Sequence, residues 1–166
     1  MSVLIEGQLR FTFTEGAIAT QYDNWSFYRN QFAKSCGAVK AVDMICIHKE
    51  VTWLIEIKDY RRHQRTKPID LADEIALKVR DTLAGLVAAK FNANEIEENQ
   101  FAQQALEAKS LRVVLHLEQA IKPSKLFPAA INPVSVIQKL KKQLKAIDAH
   151  PVIVDQHHLK PDMAWT

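Results

Sequence analysis

Residues 52–60 read TWLIEIKDY. Trp53, Leu54, Ile55 and Ile57 are apolar at both odd and even positions, which is the pattern of a strand covered on both faces. Such a strand belongs in the interior of a sheet, so the chain must supply a layer on each side of it. Glu56 and Lys58 interrupt the run two residues apart and therefore point to the same face. A charge in that position is costly unless it is paired or holds something. The fold has to bring an answer to these two charges.

The most direct answer comes from the preceding strand, AVDMICIH, which a short link at Lys49-Glu50 joins to this one. A tight hairpin centred on that link sets His48 opposite Val51, Ile45 opposite Leu54, and Asp43 opposite Glu56. Side chains opposed in an antiparallel pair stand about 4.5–5.5 Å apart at Cβ. The register thus predicts two carboxylates side by side, with Lys58 further along the same face. Two like charges so placed destabilise a sheet unless something lies between them, and a divalent ion, which takes carboxylate oxygens, is the simplest candidate. Neither Lys49 nor Glu50 readily takes the positive φ that a two-residue turn demands. An odd-length link or a bulge would spoil the register.

Elsewhere, SVLIEGQLRFTFT and GAIATQY predict two strands joined at Glu15-Gly16. DNWSFYRNQFAK predicts a short helix capped by Asp23 or Asn24, with Trp25, Tyr28 and Phe32 inward. RRHQRTKP is a basic loop. Asp70 starts a long helix whose stripe is Leu71, Ile75, Val79, Leu83 and Leu86. Polar NANEIEENQ separates it from a helix over 99–109, and LRVVLHLEQ is another buried strand. IKPSKLFPAAINP is a Pro-rich connection, followed by a helix over 134–147 and a last strand in PVIVDQ. Alternating strands and helices predict an α/β domain, a mixed sheet flanked by helices.

The 166 residues suit one domain spanning 1–166, and 48% hydrophobic with 25% charged residues is ordinary for a globular chain. A net charge of +3 permits a nucleic-acid partner without demanding one. Cys36 and Cys46 offer neither a disulfide framework nor metal spacing, so a reducing compartment is expected. MSVLIEGQLRF lacks the apolar stretch of a signal peptide, and no run approaches a membrane span, so a cytoplasmic, membrane-free protein is the expectation. No P-loop, Gly-rich dinucleotide fingerprint or nucleophile elbow is present.

An Asp at the start of one strand, Glu-x-Lys on the next, and a long helix after it resemble the PD-(D/E)xK nuclease superfamily, which has the restriction-endonuclease-like fold. The pieces are Asp43 in KAVDMICIH and Glu56-Ile57-Lys58 in WLIEIKDYR. The resemblance covers about residues 15–90, with a nuclease-type core of about 15–120. Val42 stands where many members have Pro. The resemblance implies that Asp43 and Glu56, with the Ile57 carbonyl, hold magnesium or manganese. The ion would make a bound water more acidic and polarise a phosphate, while Lys58 orients the nucleophile and offsets developing charge. Members often add an acid from the preceding helix. Asp23 is the first candidate here and Glu15 the second, with helix capping as the other reading of Asp23.

Arg61, Arg62, Arg65 and Lys67, beside the proposed site, could hold nucleic-acid phosphates or form a solvated loop. Lys78 is either a phosphate contact or one half of a surface pair with Glu74. Lys139, Lys141, Lys142 and Lys145 read mainly as solubilising charges. His157-His158 lacks partner ligands, and His116 reads as a core histidine. The function expected is a metal-dependent nuclease, DNA favoured over RNA as partner, in a class where homodimers are common. The alternatives are an inactive nuclease-fold binding module and, further off, an unrelated α/β protein whose Asp43 and Glu56 do not share a face.

Overall fold

The chain, whose residues 1–120 and 131–166 are described in a computed structural model, begins with an antiparallel hairpin. Its strands are β1 (Ser2–Glu6) and β2 (Leu9–Phe13). The apolar run suggests one continuous strand here, but Gly7 adopts a φ of 58° and turns the chain back on itself. Next comes β3 (Ile18–Gln21). The single helix expected over 23–34 is instead a 3-10 turn at Tyr22–Asn24, the five-residue α1 (Ser26–Asn30) and a second 3-10 turn at Phe32–Lys34. Trp25 occupies the N-cap position without a side-chain bond to the helix amides, so neither Asp23 nor Asn24 caps α1. Ring packing explains the break. Tyr22, Trp25 and Phe27 are all buried, a spacing no regular helix provides.

The central pair is β4 (Met44–His48) and β5 (Val51–Asp59). Met44 pairs with Ile55, Ile45 with Leu54 and His48 with Val51, the register that a tight turn dictates. The turn exists despite its residues, because Lys49 and Glu50 both adopt positive φ, 47° and 63°. Asp70 caps α2 (Leu71–Asn92), its carboxylate accepting from the Ala72 and Asp73 amides. Leu71, Ile75, Val79 and Leu86 of the expected stripe are buried, and Leu83 is half-buried. Then come α3 (Ile96–Glu107), starting earlier than expected, and β6 (Ser110–Glu118). Most of the Pro-rich connection, residues 121–130, lies outside the described residues. Asn132 caps α4 (Pro133–Gln143), with Pro133 in its first turn, and β7 (Val152–Val154) follows.

The main sheet has the order β3-β4-β5-β6-β7. Its first three strands are antiparallel, while β5, β6 and β7 run parallel, so the sheet is mixed and β5 is central. The two faces are covered differently. Ile45, Leu54, Val113 and Leu115 pack against residues of all four described α-helices, among them Phe27, Ile75, Phe101 and Leu140. Met44, Trp53, Ile55, Ile57 and Val114 meet Phe11 and Phe13 of the hairpin and Trp165 near the chain's end. The expected flanking by helices therefore holds for one face, and the β1–β2 hairpin takes the other. Each Leu or Ile fully buried in these layers contributes about 1.5–3 kcal/mol. Among the described residues no helix is long and apolar enough to cross a membrane.

Candidate active site

Side-chain alternation along β5 puts Leu54, Glu56 and Lys58 on the helix-covered face. Asp43 precedes β4, in step with Ile45, and so comes to the same face. It lies outside the paired residues of the ladder, and its side chain bonds across instead: Oδ2 accepts the Ile57 amide at 2.6 Å. The Asp43 carbonyl accepts the Tyr22 amide at 3.0 Å. From below, α2 fixes the approach to Asp43. Asp81 Oδ2 accepts the Lys40 amide and Thr82 Oγ1 accepts the Val42 amide, at 2.9 and 3.0 Å. Asp43 is thus held by strand β5 and by the 3-10 turn at Tyr22, and α2 fixes the segment that leads to it.

Glu56 is fully buried. Its Oε1 accepts from the Lys78 ammonium at 2.6 Å and from the Lys58 ammonium, whereas Oε2 has no partner among the described residues. The Lys78 ammonium also lies 3.4 Å from Asp43 Oδ1. The two carboxylates therefore share a face and meet at one cation, and the cation is a lysine of α2. Complete burial and the neighbouring Asp43 charge push the Glu56 carboxyl up to about 7, with Lys58 and Lys78 pulling the other way. Burial works against the Lys78 charge, but Glu56 and Asp43 outweigh it and lift its pKa above the ordinary lysine value.

From the sequence Glu74 is only a surface partner of Lys78, yet it too is fully buried. Its carboxylate binds Lys67 at 2.6 Å and Arg65 at 2.7 Å, with the Lys58 ammonium at 3.8 Å. Residues 74 and 78 both lie one turn or less from the apolar stripe of α2, and this position on the helix is the signal the sequence offers for them. Burial alone would raise the Glu74 carboxyl. Hydrogen bonds from Lys67 and Arg65, and the charges of Lys58 and Lys67, hold it down at about 2.

The basic loop is consequently not one uniform surface. Arg65 and Lys67 are engaged with Glu74, and Arg65 also donates to the Ile69 carbonyl at 2.6 Å. Arg61 pairs with Asp59 at 2.6 Å. Arg62 is exposed, at the rim of a cleft of about 290 Å³ with Glu6, Ile57 and Asp59. Asp23 lies in a second cleft, of about 390 Å³, with Asp43, Lys67, Glu74 and Lys78. Its Oδ1 is buried without a partner among the described residues, and burial followed by the Asp43 charge raises its pKa. Glu6, at the end of β1, is raised by burial and by Asp43 and Asp23, so it belongs to the same acidic neighbourhood. Glu15 is elsewhere, lining a cleft with His48, Lys49 and Val51 at the opposite end of β5. His116 is buried as expected; its Nε2 meets Glu118 at 2.9 Å, but Nδ1 has no partner among the described residues.

Asp43 and Glu56 offer hard carboxylate oxygens, and Glu56 Oε2 is a buried acceptor without a donor, so the pair fits magnesium or manganese in kind. Among the described residues, no group of three or more His, Cys, Asp or Glu side chains is arranged to hold a metal ion. The space between the two carboxylates is occupied by the Lys78 ammonium.

No protein-family model matches the chain, and no solved structure matches it. Among curated proteins, it is similar to a cysteine–tRNA ligase of Neisseria meningitidis serogroup A, with 30% identity over 195 aligned residues. The match takes in 96% of this chain but 28% of that protein, so the chain spans little more than a quarter of its relative.

Proposed function

We propose that this chain is a divalent-metal-dependent nuclease of the restriction-endonuclease-like class, which hydrolyses phosphodiester bonds in nucleic acid. The carrying observation is the convergence of Asp43 and Glu56 on a single cation, beside Lys58, where β5 meets α2. Bound by the two carboxylates and the Ile57 carbonyl, magnesium or manganese would supply a Lewis acid for the phosphate and a more acidic water. Asp43 is oriented by the Ile57 amide at Oδ2, so Oδ1 is left facing the Lys78 ammonium that Glu56 also holds. Lys58 places an ammonium group at Glu56, positioned to meet a phosphate and to offset charge in the transition state, and Lys78 places a second one there in the metal-free protein. Glu74 holds Arg65 and Lys67 beside them. Arg62 is left outside these pairs as a candidate phosphate contact, while Arg61 first has to leave Asp59.

A second reading is favoured by Lys78 itself. Its ammonium completes a salt-bridge network without a metal, as a nuclease-fold binding module that has lost catalysis would require. The deciding experiment is a magnesium- and manganese-dependent cleavage assay on plasmid, linear and single-stranded DNA and on RNA. DNA is the favoured substrate, and the tRNA in the relative's name makes a tRNA arm worthwhile. Glu56→Ala and Lys58→Ala are expected to abolish cleavage. Calorimetry that shows no ion binding would sink the catalytic reading and leave the binding module.

A further inference from the structure

We infer that Lys78 is the resident cation of this site: its ammonium neutralises Asp43 and Glu56 in the metal-free protein and is displaced when a divalent ion binds, so Lys78 sets the affinity for that ion. The inference rests on the metal-binding part of the nuclease reading and adds a competitor to it.

A fully buried carboxylate needs a paired cation, and Glu56 finds one at 2.6 Å. The same ammonium is 3.4 Å from Asp43. An ion bridging these two carboxylates would occupy the ground that Nζ holds, and like charges cannot share it. Lysine suits this part. Its charge rides on a flexible four-carbon stem, and only 13% of its side chain is exposed, so leaving the carboxylates carries it into the neighbouring cleft rather than straight into bulk water.

That cleft contains a place for a displaced ammonium. Asp23 lines it together with Lys78, and Asp23 Oδ1 is a buried acceptor with no donor among the described residues. Lys58 also has a second partner, because Glu74 lies 3.8 Å from its ammonium while Glu56 holds it directly. Lys78 therefore has a carboxylate to turn to as the ion enters, while Lys58 keeps its place between Glu56 and Glu74. The unpaired Asp23 oxygen is otherwise without explanation in the site.

The test is calorimetric titration of magnesium and manganese into wild type, Lys78→Met and Lys78→Arg, with the melting temperature of each protein measured metal-free and saturated. Lys78→Met is expected to melt lower without metal, to bind manganese about tenfold tighter or more, and to gain more melting temperature on saturation. Lys78→Arg keeps the charge and is expected to stay near the wild-type affinity. Equal or weaker affinity in Lys78→Met, with wild type binding normally, overturns the inference and leaves the nuclease reading intact. No ion binding by any of the folded proteins removes the metal reading and this inference with it. If Lys78→Met does not fold, lysine side-chain nitrogen NMR on wild type decides. The Lys78 ammonium signal must move on magnesium saturation, and an unmoved signal with the ion bound overturns the proposal.

Discussion

Two buried glutamates, Glu56 and Glu74, share the Lys58 ammonium yet titrate in opposite senses. Glu56 is raised because burial and Asp43 prevail over its lysines, whereas Glu74 is depressed because Lys67 and Arg65 bond it directly. The stability consequences differ in sign. A depressed carboxyl contributes stability above its unfolded value near 4.5, which is lost as pH falls through that value toward about 2. For Glu74 the whole contribution is at most about 3 kcal/mol. Urea unfolding between pH 7 and pH 2.5 is expected to show this loss in wild type and a clearly flatter profile in Glu74→Gln. The substituted protein should already be less stable at pH 7, because Arg65 and Lys67 lose their partner. An unchanged acid slope would show that another carboxylate dominates. None of this is legible in the sequence. Glu74 is visible there only as one half of a helix-surface pair, because periodicity places a residue on a stripe without saying that a loop will fold over it.

Elements tell a more even story. The β4–β5 register follows from the position of Lys49-Glu50 between two apolar runs, and the ladder has it. What the residue types do not advertise is the turn itself, since both residues stand in the left-handed region at some cost. Lys49→Asn, which tolerates that region better, is expected to raise stability by about 0.5–1 kcal/mol. Chemical denaturation measures it, and a loss of stability would mean that Lys49 is not strained. The opposite case is Gly85 inside α2. A Cβ there would stand 1.9 Å from Tyr22 Oη and 3.1 Å from the Phe32 ring. Alanine improves helix propensity by about 1 kcal/mol, but the overpacking costs about 1–3 kcal/mol. Gly85→Ala should therefore lower the melting temperature rather than raise it. This contact also shows why the segment before β4 defies a helical reading. Its rings are shaped by the surface of α2, which lies far along the chain.

At the scale of the molecule, an α/β chain with β5 central to a mixed sheet follows from the apolar runs in TWLIEIKDY and LRVVLHLEQ. The cover on each face does not follow. Alternation says that both faces of β5 are buried, but not that helices take one and a hairpin the other. Only Gly7, a single residue in an apolar run, marks the break that makes the hairpin. The catalytic proposal has the same limit. Asp43, Glu56 and Lys58 can be grouped from one local hairpin, whereas Lys78, Glu74, Asp81 and Thr82 reach the site only after α2 has docked. Ligand binding is the global check on the grouping. A divalent ion at 100 times its Kd should stabilise the folded protein by about 2.7 kcal/mol, and Asp43→Ala should remove the gain in melting temperature.

The position of β5 also has a kinetic consequence. Its partner β4 is two residues away through a turn, so that edge can close on a microsecond scale. Its other partner, β6, begins only at Ser110, after α2 and α3. Parallel pairing across so long an excursion must bear loop-closure entropy before any contact rewards it. The hairpin that brings Asp43 toward Glu56 is therefore an early structure, and the β5–β6 seam is the slow step. Mutations in that seam, such as Val113→Ala, should slow refolding more than an equally destabilising change at the β4–β5 turn. Stopped-flow refolding monitored by the buried Trp53 and Trp165, whose rings lie 5.5 Å apart, would show the order in which this chain commits to its centre.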